Sequence, residues 1–436
     1  MLKIMILTPM MLMYPTNMIM IYLVFMMSLT AMISTQTWTT TSYLWTNNDM
    51  LSSILSLLAL MIIMSVSISL SQEMLKSPAN QLNLLIGVLS TAVFQTHNIL
   101  FLYLFLELSI IPITMVIMIW GYTPDRKSAI FNMVFYTMIS SMPFFIFLMS
   151  WSTLSNSLAI NIIKWMTTLS LNTMPTMMLF FATMTFMIKL PMYPLHLWLP
   201  KAHLEAPTFG SMVLAATLLK LGGYGLMRLF SMKILPSMQF SSTFGTISIL
   251  GGMLASFFCI RLTDIKKVIA LSSVVHMATI IPLSCSLTQM SSFSSILTMV
   301  FHGPASAGLF LLTGTMYSIY GSRSTLFLRA LKLYFPPLAF LLLMMSIANM
   351  SAPPSTNLLI EILIFISLVL YSYFWTLMLM VTSLMVVIFS LIIYSSTSHG
   401  TTLTIPVSQT LDSSMIALSW QIIPTYLFTP LIGVLL

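Results

Sequence analysis

Charge is what this sequence has least of. Of 436 residues only 16 are Lys or Arg and 8 are Asp or Glu, 6% of the chain, against roughly a quarter in an ordinary soluble domain. That scarcity excludes a water-soluble globule. Cysteine is nearly absent too: Cys259 and Cys285 both lie in apolar segments without metal-ligand spacing, so neither a disulfide framework nor a metal centre is expected. There is no CxxC, no phosphate-binding loop and no Ser-His-Asp order, which leaves the chain without visible means of covalent chemistry. The basic residues give a net charge of +8, but they come one to three at a time between apolar runs and never interleave with aromatics. No nucleic-acid partner is expected. The N-terminal MLKIMILTPM has one Lys and no small-residue cleavage site, so the first helix is expected to be retained.

What the chain does contain suits hydrocarbon. Hydrophobic residues make up 58% of it and the mean hydropathy is +1.01. Its 43 Met residues are spread everywhere, as adaptable apolar filler would be and a copper site would not. At about 30 residues per span and loop, the length allows roughly 14 helices. Apolar runs place them near 2–14, 17–34, 50–70, 82–97, 98–120, 128–150, 176–199, 210–230, 244–261, 268–288, 292–320, 334–372, 374–394 and 418–435. Residues 151–175, with Trp151, Asn161 and Lys164, read as an interfacial loop. Continuous runs in place of alternating strands argue against a β-barrel, and the expected fold is an all-α polytopic membrane protein.

Alternating the loops between two sides gives one side Lys76, Arg126, Lys127, Lys201, Arg261, Lys266, Lys267, Arg323, Arg329 and Lys332, and the other Lys3, Lys164, Arg228 and Lys233. The positive-inside rule then makes the first side cytoplasm-like or matrix-like, with both termini opposite.

Four ionisable residues are left inside spans. Glu107 is about nine residues into its span, some ~14 Å deep in a core ~30 Å thick, and Lys220 reaches a similar depth. Lys189 directly precedes the helix-breaking pair Pro191 and Pro194; Glu361 follows a second break, Ser351-Ala-Pro-Pro-Ser355. Each such group costs about 2.5 to 3.5 kcal/mol on insertion scales. Static ion pairs could account for them, but two acids and two bases at one depth suit a proton relay better. Burial disfavours the charged form while an opposite neighbour favours it, which brings protonation states close in energy. His196, His203, His276 and His302 lie in or beside the spans and are candidate secondary relay groups, whereas His97 sits at a span end and His399 in a late loop. The two breaks lie about 160 residues apart, the pattern of a repeat transporter with its ion path at the interrupted helices. Gly222-Gly223-Tyr224-Gly225 follows no strand and reads as a close helix contact, not a dinucleotide site. The sequon Asn349-Met350-Ser351 falls deep in the membrane, where no glycan could be attached.

The stretch Lys189-Leu-Pro-Met-Tyr-Pro-Leu-His-Leu-Trp-Leu-Pro-Lys-Ala-His-Leu-Glu-Ala-Pro207, then Gly210-Ser211-Met212 and Leu218-Leu-Lys-Leu-Gly-Gly-Tyr-Gly225, closely resembles the core of the antiporter-like subunits of respiratory complex I. Asp264-Ile-Lys-Lys-Val-Ile-Ala-Leu-Ser-Ser273, His276-Met277, His302-Gly303 and Ala348-Asn-Met-Ser-Ala-Pro-Pro-Ser-Thr-Asn-Leu-Leu-Ile-Glu361 extend the resemblance over roughly 80–395. It implies two inverted five-helix repeats with one broken helix each, 81–230 (broken near 190–195) and 244–395 (broken near 351–355). N-terminal helices at 1–80 and a loop and last helix at 396–436 would flank them. It also implies a proton path through Glu107, Lys189, Lys220 and Glu361, with Lys201, Glu205, Lys266 and Lys267 as loop anchors.

By the same resemblance the chain would carry no cofactor or metal. NADH, FMN, iron-sulfur clusters and ubiquinone would belong to the parent proton-translocating NADH:ubiquinone oxidoreductase. Its partners would be other membrane-arm subunits, especially chains 2 and 5, and the lipid of the mitochondrial inner membrane, with both termini on the intermembrane-space side. The alternatives are a subunit of a multi-subunit sodium/proton antiporter and a non-translocating scaffold. Val275 and Leu271 depart from the residues common in the family, Ser and Tyr, which leaves the hydrogen bonding of His276 to water.

Overall fold

A computed structural model describes residues 41–42, 47–71, 74–75, 77–155, 158–160, 176–231, 238–286, 288–401, 412–427 and 429. The expected spans 2–14 and 17–34 lie outside these residues, as do Lys3, Lys76, Asn161, Lys164 and Lys233. After a short antiparallel pairing of Thr41–Ser42 with Asn47–Asn48, the described chain is helical. The helices are α1 (Met50–Ser69), α2 (Pro78–Gln95), α3 (Ile99–Leu108), α4 (Ile110–Trp120), α5 (Arg126–Ser155) and α6 (Thr176–Lys189). Then come α7 (Trp198–Glu205), α8 (Thr208–Val213), α9 (Leu219–Ser231), α10 (Met238–Arg261), α11 (Ile265–Ala278), α12 (Ile280–Ser286) and α13 (Gln289–Tyr320). The last are α14 (Leu331–Tyr334), α15 (Pro336–Asn349), α16 (Thr356–Val369), α17 (Tyr373–Ser398) and α18 (Asp412–Leu427). Among the described residues eight helical segments are long and apolar enough to cross a membrane; shorter apolar helices include α15, α16 and Phe180–Lys189.

Proline sets the interruptions. Pro112 has no N–H to offer the Leu108 carbonyl and its ring crowds it, so the span Ile99–Trp120 divides at Ser109. Pro282 stands in the same relation to Ala278, and Ile265–Ser286 divides at Thr279. Pro191 and Pro194 stop α6 at Lys189, and Pro353 and Pro354 keep α15 and α16 apart; the Tyr193-Pro194 and Pro353-Pro354 bonds are cis. Elsewhere Ser and Thr hydroxyls turn back onto their own helix, as Ser65 does to the Ile62 carbonyl (2.8 Å) and Thr185 to the Ala182 carbonyl (2.8 Å). Polar side chains are thereby satisfied where no water competes.

Three segments lie at the centre, Thr208–Ser231, Ile265–Ser286 and Gln289–Tyr320, each with about nine-tenths of its apolar window buried. Around α13 pack α1, α8, α11, α15, α16 and α18. Ile99–Trp120, α5 and α17 lie at the periphery and expose rows of Phe, Ile, Leu and Met, among them Phe131, Ile139, Leu377 and Leu384. Buried apolar residues divide into two clusters, and several central helices pass from one to the other at a single position. Leu219 belongs to the first cluster and Leu221 to the second; Val275 to the first and Met277 to the second. Lys220 and His276 lie between these pairs, in the seam between two apolar layers.

Three expectations are corrected. Trp151 is not in a loop: α5 runs on to Ser155 and buries the indole. Arg228 and Lys266 are not loop residues either. Both are helical and buried, because each finds polar partners inside the protein.

Gly222 explains the glycine-rich turn of α9. A Cβ there would stand 2.9 Å from the Leu190 nitrogen and 2.9 Å from Lys189 Cβ, so α9 rests directly on the backbone where α6 breaks. Gly222→Ala is expected to cost about 1–3 kcal/mol of stability, read as a lowered thermal midpoint of the membrane-extracted assembly. Gly252→Ala, whose added carbon would lie 3.3 Å from Ala278 Cβ, is expected to cost less. Equal midpoints for Gly222→Ala and the unchanged chain would show that α9 does not bear on the break.

Candidate functional site

Lys189 is the last residue of α6, where the negative end of the helix dipole and the freed carbonyls favour a cation. Its Nζ lies 3.1 Å from Glu107 Oε1 on α3, two residues before the Ser109 interruption. Side-chain exposures of 10% and 17% put the ion pair away from bulk solvent. Glu107 Oε2 is buried and has no hydrogen-bond partner among the described residues. The break itself is sealed by Trp198 of α7, whose indole N–H donates to the Ile188 carbonyl (3.1 Å). Beside Lys189 lies a cavity of about 40 Å³ whose walls include Ser109, Thr137, Leu218 and Leu221, room enough for water.

Lys220 is fully buried. A π-helical turn at Leu214–Leu218 precedes it, and the inserted residue opens the Ala215 carbonyl to Lys220 Nζ, which donates to it at 2.7 Å. On its other side Nζ stands 3.2 Å from His302 Nδ1 of α13. If Lys220 donates, the imidazole proton sits on Nε2, which is buried without a partner among the described residues. The His276 ring follows, its centroid 5.4 Å from that of His302. Asn349, the last residue of α15, lies within hydrogen-bonding reach of His276. The partner left to water by Val275 and Leu271 is thus a side chain at the second break.

That break repeats the logic of the first: Asn357 of α16 donates through Nδ2 to the Ala348 carbonyl (2.6 Å). Between it and the histidines is a cavity of about 70 Å³ lined by His276, Thr279, His302, Ser351, Asn357 and Glu361, among others. Glu361, half-buried on α16, therefore faces the two histidines across a space that can hold a few waters.

The sequence-predicted residues are thus gathered in two groups, Glu107 with Lys189, and Lys220 with His302, His276 and Glu361. Among the described residues no hydrogen bond or ion pair joins the first group to the second. His196, on the short 3-10 turn Leu195–Leu197, stacks on Tyr193 with centroids 5.2 Å apart. His203 is fully buried, stacks on Phe310 at 4.5 Å, and leaves both ring nitrogens without a partner among the described residues. It lies within electrostatic reach of Lys266 and Lys220. Lys266 is a buried anchor, donating to the carbonyls of Ala206 (2.6 Å) and Leu204 (3.4 Å) at the end of α7, while Glu205 accepts from the Thr123 hydroxyl. Sequence reasoning missed Asn349, Asn357 and the π turn. Only the Asn residues beside the Pro-Pro break offered a signal.

A family profile described as NADH:quinone oxidoreductase/Mrp antiporter, transmembrane, matches residues 96–388. Among curated relatives, the NADH-ubiquinone oxidoreductase chain 4 of Ceratitis capitata is 37% identical over 323 residues, covering 74% of this chain and 70% of the relative. That of Artemia franciscana is 39% identical over 325 residues, covering 72% and 79%. In fold the chain is similar to one from the solved structure of respiratory complex I from Thermus thermophilus with bound NADH. The TM-score is 0.86 at 18% identity, covering 98% of this chain and 94% of that one. The chain belongs to the NADH:quinone oxidoreductase/Mrp antiporter family of membrane proteins.

Proposed function

We propose that this chain is a proton-translocating membrane-arm subunit of NADH:ubiquinone oxidoreductase, and that Glu107, Lys189, Lys220 and Glu361 carry the path with the histidines as intermediates. The observation that carries this reading is the Lys189–Glu107 ion pair held at a helix break. A static lock would join the remaining base and acid as well, yet Lys220 and Glu361 are kept apart, with two imidazoles and a cavity between them. Relatives named as chain 4 favour this assembly over a sodium/proton antiporter, which the family description also covers.

In this mechanism quinone reduction elsewhere in the complex opens the Glu107–Lys189 pair. Lys189 then exchanges a proton through water with Lys220, which passes it through His302 and His276 to the cavity and Glu361. Widening the pair from 3.1 Å to roughly 6 Å, at an effective dielectric constant of about 20, changes its Coulomb energy by about 2–3 kcal/mol. Moving one charge across 100 mV takes about 2.3 kcal/mol, so a side-chain displacement is enough to gate the step. Residues 81–230 and 244–395 act as two related halves, flanked by 1–80 and 396–436, each supplying one broken helix. The exposed faces of α5 and α17 meet lipid and neighbouring subunits, chains 2 and 5 among them. The setting is the mitochondrial inner membrane with both termini on the intermembrane-space side, and electron carriers reside on other subunits.

Glu107→Gln leaves Lys189 buried without its counter-charge, and Lys189→Ala does the reverse. Either variant, assembled in the complex and measured in sealed vesicles, is expected to lower protons pumped per NADH oxidised and to slow quinone-coupled turnover about tenfold, the equivalent of about 1.4 kcal/mol. Full assembly with unchanged stoichiometry would sink the relay, whereas loss of assembly alone would support a scaffold. Lys220→Met keeps the volume and removes the ammonium. Combined with Lys189→Ala it is expected to do no more harm than either change alone, because both lie on one path. Additive losses would point to separate routes.

A further inference from the structure

Beyond Lys220, α9 carries two more buried polar residues on the same face, Tyr224 and Arg228, at four-residue intervals. They run about 12 Å along the helix, straight through the second apolar cluster, to which Leu221, Leu226 and Leu229 belong. The Tyr224 hydroxyl donates to the Phe94 carbonyl in the last turn of α2 (2.8 Å). The Arg228 guanidinium lies over the Tyr224 ring, 5.0 Å from its centroid, and its Nη1 donates to Asp49 Oδ2 at the start of α1. His97, between α2 and α3, is within electrostatic reach of both members of that pair. Asp49 Oδ1 and His97 Nδ1 are both buried without a hydrogen-bond partner among the described residues. Buried structural ion pairs are ordinarily satisfied on all sides, so the unused hydrogen-bonding capacity here sets this pair apart.

Resting on the proton-translocation reading above, we infer that the Arg228–Asp49 ion pair is a closed gate on a polar branch from Lys220 to the membrane face at the start of α1. Arginine does not deprotonate in a protein, so Arg228 cannot pass a proton on. Its fixed positive charge in a narrow buried stripe repels protons instead, the device by which channels exclude cations. While it pairs with Asp49, protons at that face cannot run back to Lys220. When the pair parts, the proton leaving Lys220 Nζ moves through water and the Tyr224 hydroxyl to the freed Asp49 carboxylate, and from there to solvent beside His97. The N–H at Lys220 is lost and an O–H at Asp49 gained, with no other bond changed.

The test uses the whole complex reconstituted in liposomes, with passive proton conductance measured under an imposed pH gradient and no NADH. Arg228→Gln is expected to raise the conductance severalfold, and adding Lys220→Met is expected to return it to that of the unchanged complex. Unchanged conductance in assembled Arg228→Gln, or a leak that survives Lys220→Met, overturns the gate. Asp49→Asn keeps the guanidinium and removes the acceptor, so passive conductance should stay low while pumping stoichiometry falls. Normal stoichiometry there overturns the gate even if Arg228→Gln does not assemble. Lys189→Ala run in parallel separates the two readings. If it pumps normally, the translocation reading itself fails; if it loses pumping while the Arg228 and Asp49 variants behave as the unchanged complex, only the gate fails.

Discussion

A chain that leaves the helix inside a membrane must find its hydrogen bonds within the protein, and the centre of this molecule is organised around two such departures. At the first, Trp198 reaches back to the Ile188 carbonyl and Lys189 occupies the end of α6, where only an anion can neutralise it in place. Glu107 supplies that anion from a helix itself interrupted two residues later. At the second, Asn357 reaches back to Ala348, and Asn349 turns its side chain to His276. The groups that repair the broken backbone thus stand beside the groups that carry charge.

The distribution of charge is uneven in a way that packing alone does not require. One acid and one base are in contact; the other base has a carbonyl and an imidazole for company, and the other acid faces a cavity. Lys220 and His276 lie in the seam between two apolar layers, where α9 and α11 change neighbours. The proposed relay needs a cation and an anion separated by groups that can each hold a proton, whereas a direct pair would fix both charges in place.

Much of this was legible from residue order. Pro191, Pro194, Pro353 and Pro354 mark the two breaks, because a missing N–H and a ring clash act locally. The divisions before Pro112 and Pro282 were not legible, since Pro143, Pro304 and Pro424 sit inside unbroken helices and packing decides whether a proline interrupts. Lys189, Lys220, Glu107 and Glu361 stood out because ionisable groups are costly in hydrocarbon. Arg228 and Lys266 look like loop residues in the sequence, since a charge near a span end looks alike whether it meets water or a buried partner, and the partners Asp49 and the Leu204 and Ala206 carbonyls are distant in sequence.

The sequence by itself determined the solvent, the helical class, the two proline-paired breaks and which side chains are too polar for their depth, since each depends on composition or on neighbours within a turn. Tertiary structure decided who meets whom. Lys189 finds Glu107, and Lys220 finds His302, each across 82 residues, through the rotation and approach of packed helices. Gly222 pressed on Leu190 and the π turn that re-aims Lys220 set that geometry. Neither follows from a hydropathy profile, because a helix carries the same residues in every rotation and only its neighbours choose which face becomes the site.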